Sequence, residues 1–216
     1  DSAGPSVTYE WFNGTTSIGT NQTVTLTTTS SKPGDTIECV ATATDDDGAT
    51  DTGDDSVTVE NSGPTITSIR LDKSTIYSNT TVTCIATAND PEGGAPSLSY
   101  EWTNGSTSIG SKATITLNNT LVSPDDVITC TVTASDTDGG SDIDTVDGTI
   151  QNTRPTVDSV TITPGTGVDS DDSLTCAATA SDVDDGAVTT ISYKWVNHWY
   201  SGGKWHTTDV GTGTTL

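Results

Sequence analysis

Three kinds of side chain in this sequence could do chemistry: four cysteines, two histidines and a large surplus of carboxylates. The cysteines are Cys39, Cys84, Cys130 and Cys176, spaced 45, 46 and 46 residues apart. No two are close in sequence, as the paired thiolates of a zinc site would be, so they suggest cross-linking rather than metal binding. Even spacing in an acidic, repetitive chain also points to an oxidising compartment. His198 and His206 share one aromatic stretch, and two imidazoles alone specify little. The carboxylates fall in clusters: Asp45, Asp46, Asp47 and Asp51; Asp90 and Glu92 beside Asn89; Asp136, Asp138 and Asp142; Asp182, Asp184 and Asp185. Hard oxygen ligands of this kind suit Ca²⁺, but Asp and Gly also favour turns, and both readings stay open. The spacing is not that of an EF-hand loop. There is no nucleophile, base and orienter set, no glycine-rich phosphate loop and no His-Glu-x-x-His. Paired carboxylates mean little in a chain with 30 acidic residues. The expectation is that the chain is not an enzyme and requires no cofactor.

Charge narrows the partners. Thirty Asp and Glu against 7 Lys and Arg leave a net charge of −23, which repels nucleic acid and anionic membranes. No apolar run approaches the ~20 residues of a membrane helix, so no direct membrane insertion is expected. The chain opens at Asp1 without a signal peptide, which fits a processed chain or a fragment of something longer. Apolar residues make up 30% of it, Met is absent and Phe12 is the single Phe. That suffices for several small cores. Thr is abundant and suits half-exposed strands, where its branched Cβ favours extended backbone and its hydroxyl tolerates water.

The elements that must position these groups come from a repeat. The cysteines suggest about 46 residues, but Trp11, Trp102 and Trp195 lie 91 and 93 residues apart, in Tyr9-Glu10-Trp11, Tyr100-Glu101-Trp102 and Tyr193-Lys194-Trp195. The stretch WFNGTTSIGTNQTVTL from Trp11 matches WTNGSTSIGSKATITL from Trp102 without a gap. PGDTIECVATATDDDGA around Cys39 matches PDDVITCTVTASDTDGG around Cys130, and GPTITSI from Gly63 matches RPTVDSV from Arg154. The period is near 92 residues with two cysteines in each. It divides the chain into a C-terminal portion of one domain (1–62), a complete domain (63–154) and an N-terminal portion of a third (155–216). The joints end at Pro64 and Pro155, which stiffens them.

In the middle repeat, strands are expected at 65–71, 80–88, 97–103, 106–109, 112–118, 126–134 and 142–150. Val82, Cys84, Ala86 and Ala88 alternate on one face, with Ile85 out of phase. Ala113, Ile115 and Leu117 share a face, as do Ile128, Cys130, Val132 and Ala134. One apolar face at period two is what a two-layer sandwich requires. Asn104-Gly105 signals a hairpin turn.

With Cys84 on the second strand, Trp102 on the third and Cys130 on the sixth, the chain resembles the immunoglobulin superfamily. It also resembles the tandem Ig-like and polycystic-kidney-disease-type repeats of bacterial and archaeal surface proteins. Their Ala-Ser-Asp-x-Asp-Gly-Gly phrase appears as ATANDPEGG (86–94), TASDTDGG (133–140) and TASDVDDG (179–186). The turn after the tryptophan reads WTNGST, which departs from the polycystic-kidney-disease pattern and favours the broader Ig-like label. The resemblance implies an all-β chain of tandem immunoglobulin-like β-sandwiches of about 92 residues per repeat, at an extracellular or cell-surface location. It implies a Cys84–Cys130 disulfide beside a core tryptophan, with Trp11 and Trp195 in equivalent core positions. Cys39 and Cys176 then pair outside their own portions, either in a longer repeat chain or between head-to-tail subunits. Both end portions carry a Tyr-x-Trp strand, which counts against simple complementation.

In such a sandwich the loops after the second and sixth strands share one end, so Asn89, Asp90, Glu92, Asp136, Asp138 and Asp142 would converge near a joint as candidate Ca²⁺ ligands. Glycosylation sequons begin at Asn13, Asn21, Asn79, Asn104 and Asn118. The third portion has 20 residues between Trp195 and Leu216, against 14 between Trp102 and Leu117. The enlarged stretch holds Trp199, Tyr200 and Trp205, which could bind glycans or a surface protein, or cover a thin core. Families of this kind serve as adhesins, spacers or filament components. The role implied is a structural or adhesive repeat segment, with a binding module at 196–210 or a non-catalytic region of a secreted hydrolase as alternatives.

Overall fold

The computed structural model describes residues 4–216, so the first three residues of the expected portion 1–62 lie outside it. Among the described residues every regular element is a strand. The first four are β1 (Ser6–Asn13), β2 (Thr16–Gly19), β3 (Thr36–Thr44) and β4 (Thr50–Thr58), in one sheet of order β2-β1-β3-β4, here the head sheet.

The middle of the chain builds two sheets. One has the order β10-β7-β5, from β5 (Thr65–Leu71), β7 (Thr81–Asn89) and β10 (Thr114–Thr116). The other has the order β6-β12-β11-β8-β9, from β6 (Ile76–Tyr77), β8 (Ser97–Asn104), β9 (Thr107–Gly110), β11 (Val127–Ser135) and β12 (Ser141–Gln151). The tail follows with a sheet of order β13-β14-β15, from β13 (Thr156–Thr163), β14 (Thr175–Asp182) and β15 (Gly186–Ala187). A separate ribbon pairs β16 (Lys194–Ser201) with β17 (Lys204–Thr212).

Alternation turns this pattern into a core. Val82 and Cys84 on β7, Trp102 on β8, and Ile128, Cys130 and Val132 on β11 are almost completely buried and form one cluster with Ile76, Ile115, Leu117, Val122 and Ile150. A disulfide joins Cys84 to Cys130 across the two sheets, with Cα atoms 6.5 Å apart. Trp102 pairs directly with Cys130 in the β8–β11 register, so the indole lies beside that bridge. Its Nε1–H donates to Lys112 O at 2.8 Å, which satisfies the polar atom of a fully buried ring. On the outer face the Thr side chains bond across strands: Thr81 with Thr116 and Thr83 with Thr114 at 3.0 Å, and Thr67 with Thr87 at 2.8 Å. These hydroxyl pairs explain the abundance of Thr on strands wetted on one side.

The expected strands fall within a residue or two of those observed, with one addition. β6 runs parallel to β12 and pairs Ile76 with Ile150. Two residues are too few for alternation to show, yet they bring Ile76 and Ser78 into complete burial.

The end portions differ in burial. Trp195 is 9% exposed, whereas Trp11 is only half-buried. The expectation that all three tryptophans are core residues is therefore corrected at Trp11: no second sheet faces the head sheet among the described residues. Repeat equivalence is plain all the same. Trp11 Nε1–H donates to Asn21 O at 2.9 Å, ten residues on, as Trp102 does to Lys112. Asn13 donates to Ser30 O and to Asp35, and Asn104 donates in the same way to Leu121 O and to Asp126.

The inter-sheet bridge closes a loop of 46 residues, so replacing both Cys84 and Cys130 with Ala should lower the stability of this core by about 3–4 kcal/mol in the chain-entropy picture. The loss should appear as a lower urea midpoint; an unchanged midpoint would show that the bridge constrains nothing in the unfolded chain.

Candidate functional site

Two places concentrate the residues singled out by sequence: the short linkers between sheets, and the tail ribbon. At the first linker, acidic loop residues accept hydrogen bonds from backbone and amide donors. Asn61 Nδ2 donates to Asp136 Oδ2 at 3.0 Å, Ser62 N to Glu92 Oε1 at 3.1 Å and Ile66 N to Asp142 Oδ2 at 2.8 Å. Asp136 also shapes its own loop, its Oδ1 accepting from Asp138 N at 2.9 Å and Gly140 N at 2.7 Å. Close approach makes Gly140 obligatory: a Cβ there would stand 2.5 Å from Gly63 Cα and 2.8 Å from Asn61 Nδ2.

The second linker repeats the device in a more enclosed form. Asp184 is 6% exposed and stands where Glu92 stands one repeat earlier. Its Oδ2 accepts from both the backbone N and the hydroxyl of Thr153 at 2.6 Å, and its Oδ1 accepts from Ser78 Oγ at 2.5 Å. Ser78 is fully buried in the turn after β6, so one carboxylate ties the central sheets, the linker and the tail together. Asp90 and Asp182 brace the two loops identically, accepting from Glu92 N and Asp184 N at 2.8 Å.

Charge on these groups is favoured by their donors. Burial opposes ionisation of Asp184, but hydrogen bonds from Ser78 and Thr153 outweigh it and hold its carboxyl below the usual value. Hydrogen bonding from Ser62 lowers Glu92, and the amide of Asn61 lowers Asp136, in each case against a smaller opposing effect of burial.

The convergence expected of the acidic loops is present, since Asp90, Glu92, Asp136 and Asp138 line one cleft of about 270 Å³ together with Lys32 of the head. Among the described residues no group of three His, Cys, Asp or Glu side chains gathers as a metal site. Hydrogen bonds engage four of the six expected ligands. Asp90, Glu92, Asp136 and Asp142 accept N–H groups, Asp138 is exposed, and Asn89 is exposed at the end of β7. Asp45 accepts from Asp47 N and Ala49 N, the same turn as Asp136 makes.

The sequons divide similarly. Asn21, Asn79 and Asn118 are exposed, whereas the amides of Asn13 and Asn104 hold their turns.

In the tail, Gly202 and Gly203 take positive φ (60° and 77°) and close β16 onto β17 in a two-residue turn. Trp199 stacks on His206 with centroids 5.3 Å apart, and Tyr200 meets Trp205 edge-on at 5.4 Å. Register puts these pairs on opposite faces of the ribbon, so His198 and His206 point apart. His198 Nδ1 bonds Thr207 and His206 Nε2 bonds Ser201 O. Trp205 is 72% and Tyr200 61% exposed, which makes the tip the most accessible aromatic surface of the chain among the described residues. Trp195 Nε1–H donates to Gly213 O, eighteen residues on, so the enlargement lengthens the ribbon and leaves the tryptophan's anchor intact.

Sequence reasoning missed the donors Asn61, Ser62, Ser78 and Thr153. For Asn61, Ser62 and Thr153 the signal was available in Asn61-Ser62-Gly63-Pro64 and Asn152-Thr153-Arg154-Pro155, which align across the repeat as closely as the acids they bind.

No protein-family model matches the chain, and no curated protein matches it. Among solved structures the chain is similar to the three N-terminal domains of the Highly Immunogenic Outer Capsid protein (Hoc) of bacteriophage RB49. The identity is 16% and the TM-score 0.32, over 96% of this chain and 69% of that one. A likeness so distant carries no argument about activity or partners.

Because the folded carboxyls sit below their free values, the linker contacts are at full strength above the usual carboxylate range and fade as pH falls through the lowered values. The protection of Thr153 N–H against hydrogen exchange should therefore hold at neutral pH and be lost only once pH has fallen below the ordinary carboxylate range. Protection that persists in Asp184→Ala would remove the carboxylate from this role. Gly140→Ala should expose Ser62 N–H while leaving Thr153 N–H protected.

Proposed function

We propose that the chain is a stiff spacer or load-transmitting segment of an extracellular fibre, filament or large cell-surface protein. It is built from tandem immunoglobulin-like β-sandwiches of about 92 residues, divided at 1–62, 63–154 and 155–216, and it has no catalytic role. The observation that carries this reading is the recurrence of one linker device: at both linkers a carboxylate from the loop after the next β7-type strand accepts the linker's own N–H. A linker hydrogen-bonded to the sheet that follows cannot act as a free swivel, so force and orientation pass along the chain. The disulfide supports an oxidising, extracellular setting. The surplus of acid supports solubility and repulsion between neighbouring fibres.

Small-angle X-ray scattering tests the mechanical reading. The native chain should give a narrow distance distribution at neutral pH, and Asp184→Ala should broaden it by freeing the second linker. A native chain as flexible as the variant would sink it.

The exposed ribbon favours a second reading, in which Trp205, Tyr200 and Trp199 dock a glycan or a surface protein. On a glycan array, binding that Trp205→Ala reduces at least tenfold, a loss of ~1.4 kcal/mol, would support it. Unchanged binding would assign the ribbon to covering the tail core.

A further inference from the structure

We propose that the tip of the tail ribbon, residues 198–207, binds an acidic glycan built of hexuronic acid rings. Trp205 is the platform for a ring and Lys204 the cation for a carboxylate. This rests on the second reading above and names the class of sugar that the ribbon takes.

Register shows that the tip is an addition to the repeat and stands clear of it. The middle repeat turns its β8–β9 hairpin directly after the pair Asn104↔Thr107, and the head turns β1 into β2 after Asn13↔Thr16. The tail reaches the same point at Asn197↔Thr208, with the same irregularity beside its tryptophan, and then continues. Four further pairs follow: His198↔Thr207, Trp199↔His206, Tyr200↔Trp205 and Ser201↔Lys204. In the middle sandwich Asn104, the final residue of β8, still holds to the body through Leu121 O and Asp126. The added pairs therefore project past the body by about 13 Å, the rise of four strand residues. Every residue from 198 to 207 is exposed. That exposure is a property of the overhang and not of what packs on the sheet beneath it.

Chemically the addition is unlike the rest of the chain. Carboxylates number 30 in 216 residues, yet 198–207 holds none and carries Lys204 and both histidines. At its base Asp209 is neutralised by Lys194 at 2.9 Å. Screening separates the tip from the acidic body, because an overhang of ~13 Å exceeds the Debye length of about 8 Å at physiological ionic strength. The tip can attract an anion that the body repels.

Its unused polar groups are donors. The indoles of Trp11, Trp102 and Trp195 each give their N–H to a backbone carbonyl. Among the described residues the indole N–H groups of Trp199 and Trp205 have no such acceptor, and the ion pairs belong to Lys73 and Lys194, not Lys204. Donors of this kind suit a ligand that brings acceptors, and a carboxylate brings two oxygens. The open ring of Trp205, 72% exposed, suits the C–H face of a pyranose. One cation matches one carboxylate on a ring, whereas a run of sulfates would need a cluster of Lys and Arg. Alternation puts Trp205 with Tyr200 on one face and Lys204 with Trp199 on the other. Between the faces lies the turn of Gly202 and Gly203, which carries no side chain. A glycan crossing that turn sets one ring on Trp205 and the next carboxylate at Lys204.

The test is calorimetric titration of the chain with oligogalacturonate and with its methyl ester, which keeps the rings and removes the charge. The acid should bind about tenfold more tightly than the ester and lose that advantage in salt well above physiological strength. Lys204→Gln should erase the preference and leave ester binding unchanged. Trp205→Ala should weaken binding of both several-fold, with the Trp199–His206 stack still visible in the ring-current shifts of the proton NMR spectrum. Equal binding of acid and ester by the native chain would overturn the proposal and leave the wider glycan reading standing. Acid binding that neither substitution changes would place the glycan elsewhere and overturn it as well. Binding of neither form would do the same, and the glycan array then decides the wider reading separately.

Discussion

A β-sheet with one apolar face is stable only against a second such face, and among the described residues that requirement is met most fully in the middle of the chain. There the β10-β7-β5 sheet and the five-stranded sheet bury Trp102, Val82, Ile128 and Val132 between them, and the Cys84–Cys130 bridge holds the layers in register. So polar a chain has little else to hold it. Its outer faces are Thr hydroxyl ladders, and its exposed carboxylates repel one another. Burial of some ten apolar side chains plus one covalent link carries the core, since small cores need such staples.

The same constraint explains why the ends look as they do. Head and tail have the sequence of sandwich halves and the burial of unpaired sheets. Ile37 is buried, while Cys39 and Trp11 near it stay half-open. Head residues 23–25, sequence counterparts of β10, are not a strand, and among the described residues they pair with no counterpart of β7. Strand identity here depends on a partner more than on local propensity.

Linker chemistry follows from the acid surplus. A carboxylate placed beside an extended linker finds unpaired N–H groups, and a charge-assisted hydrogen bond there is both short and directional. The chain uses this twice at one position of the repeat, with Glu92 and with Asp184. Acidity read from composition as a matter of solubility is thus, at these positions, a matter of geometry. The tail ribbon is the exception to repetition, with its aromatic tip placed in solvent by a Gly-Gly turn.

Sequence alone determined the periodicity, the strand positions in the middle repeat and the inward side of three of those strands, because period two is a local property of extended backbone and repeats add up its signal. That Cys84, Trp102 and Cys130 meet was implied by the resemblance to Ig-like repeats, and the disulfide across the sheets agrees with it. Sequence could not reveal that Glu92 and Asp184 accept the linker N–H groups. Nor could it show β6 or the burial of Ser78, or distinguish the half-open Trp11 from the closed Trp102 in nearly identical text. Those outcomes turn on which groups meet across sheets and linkers, and a sequence pattern records the face a side chain takes but not what stands opposite it.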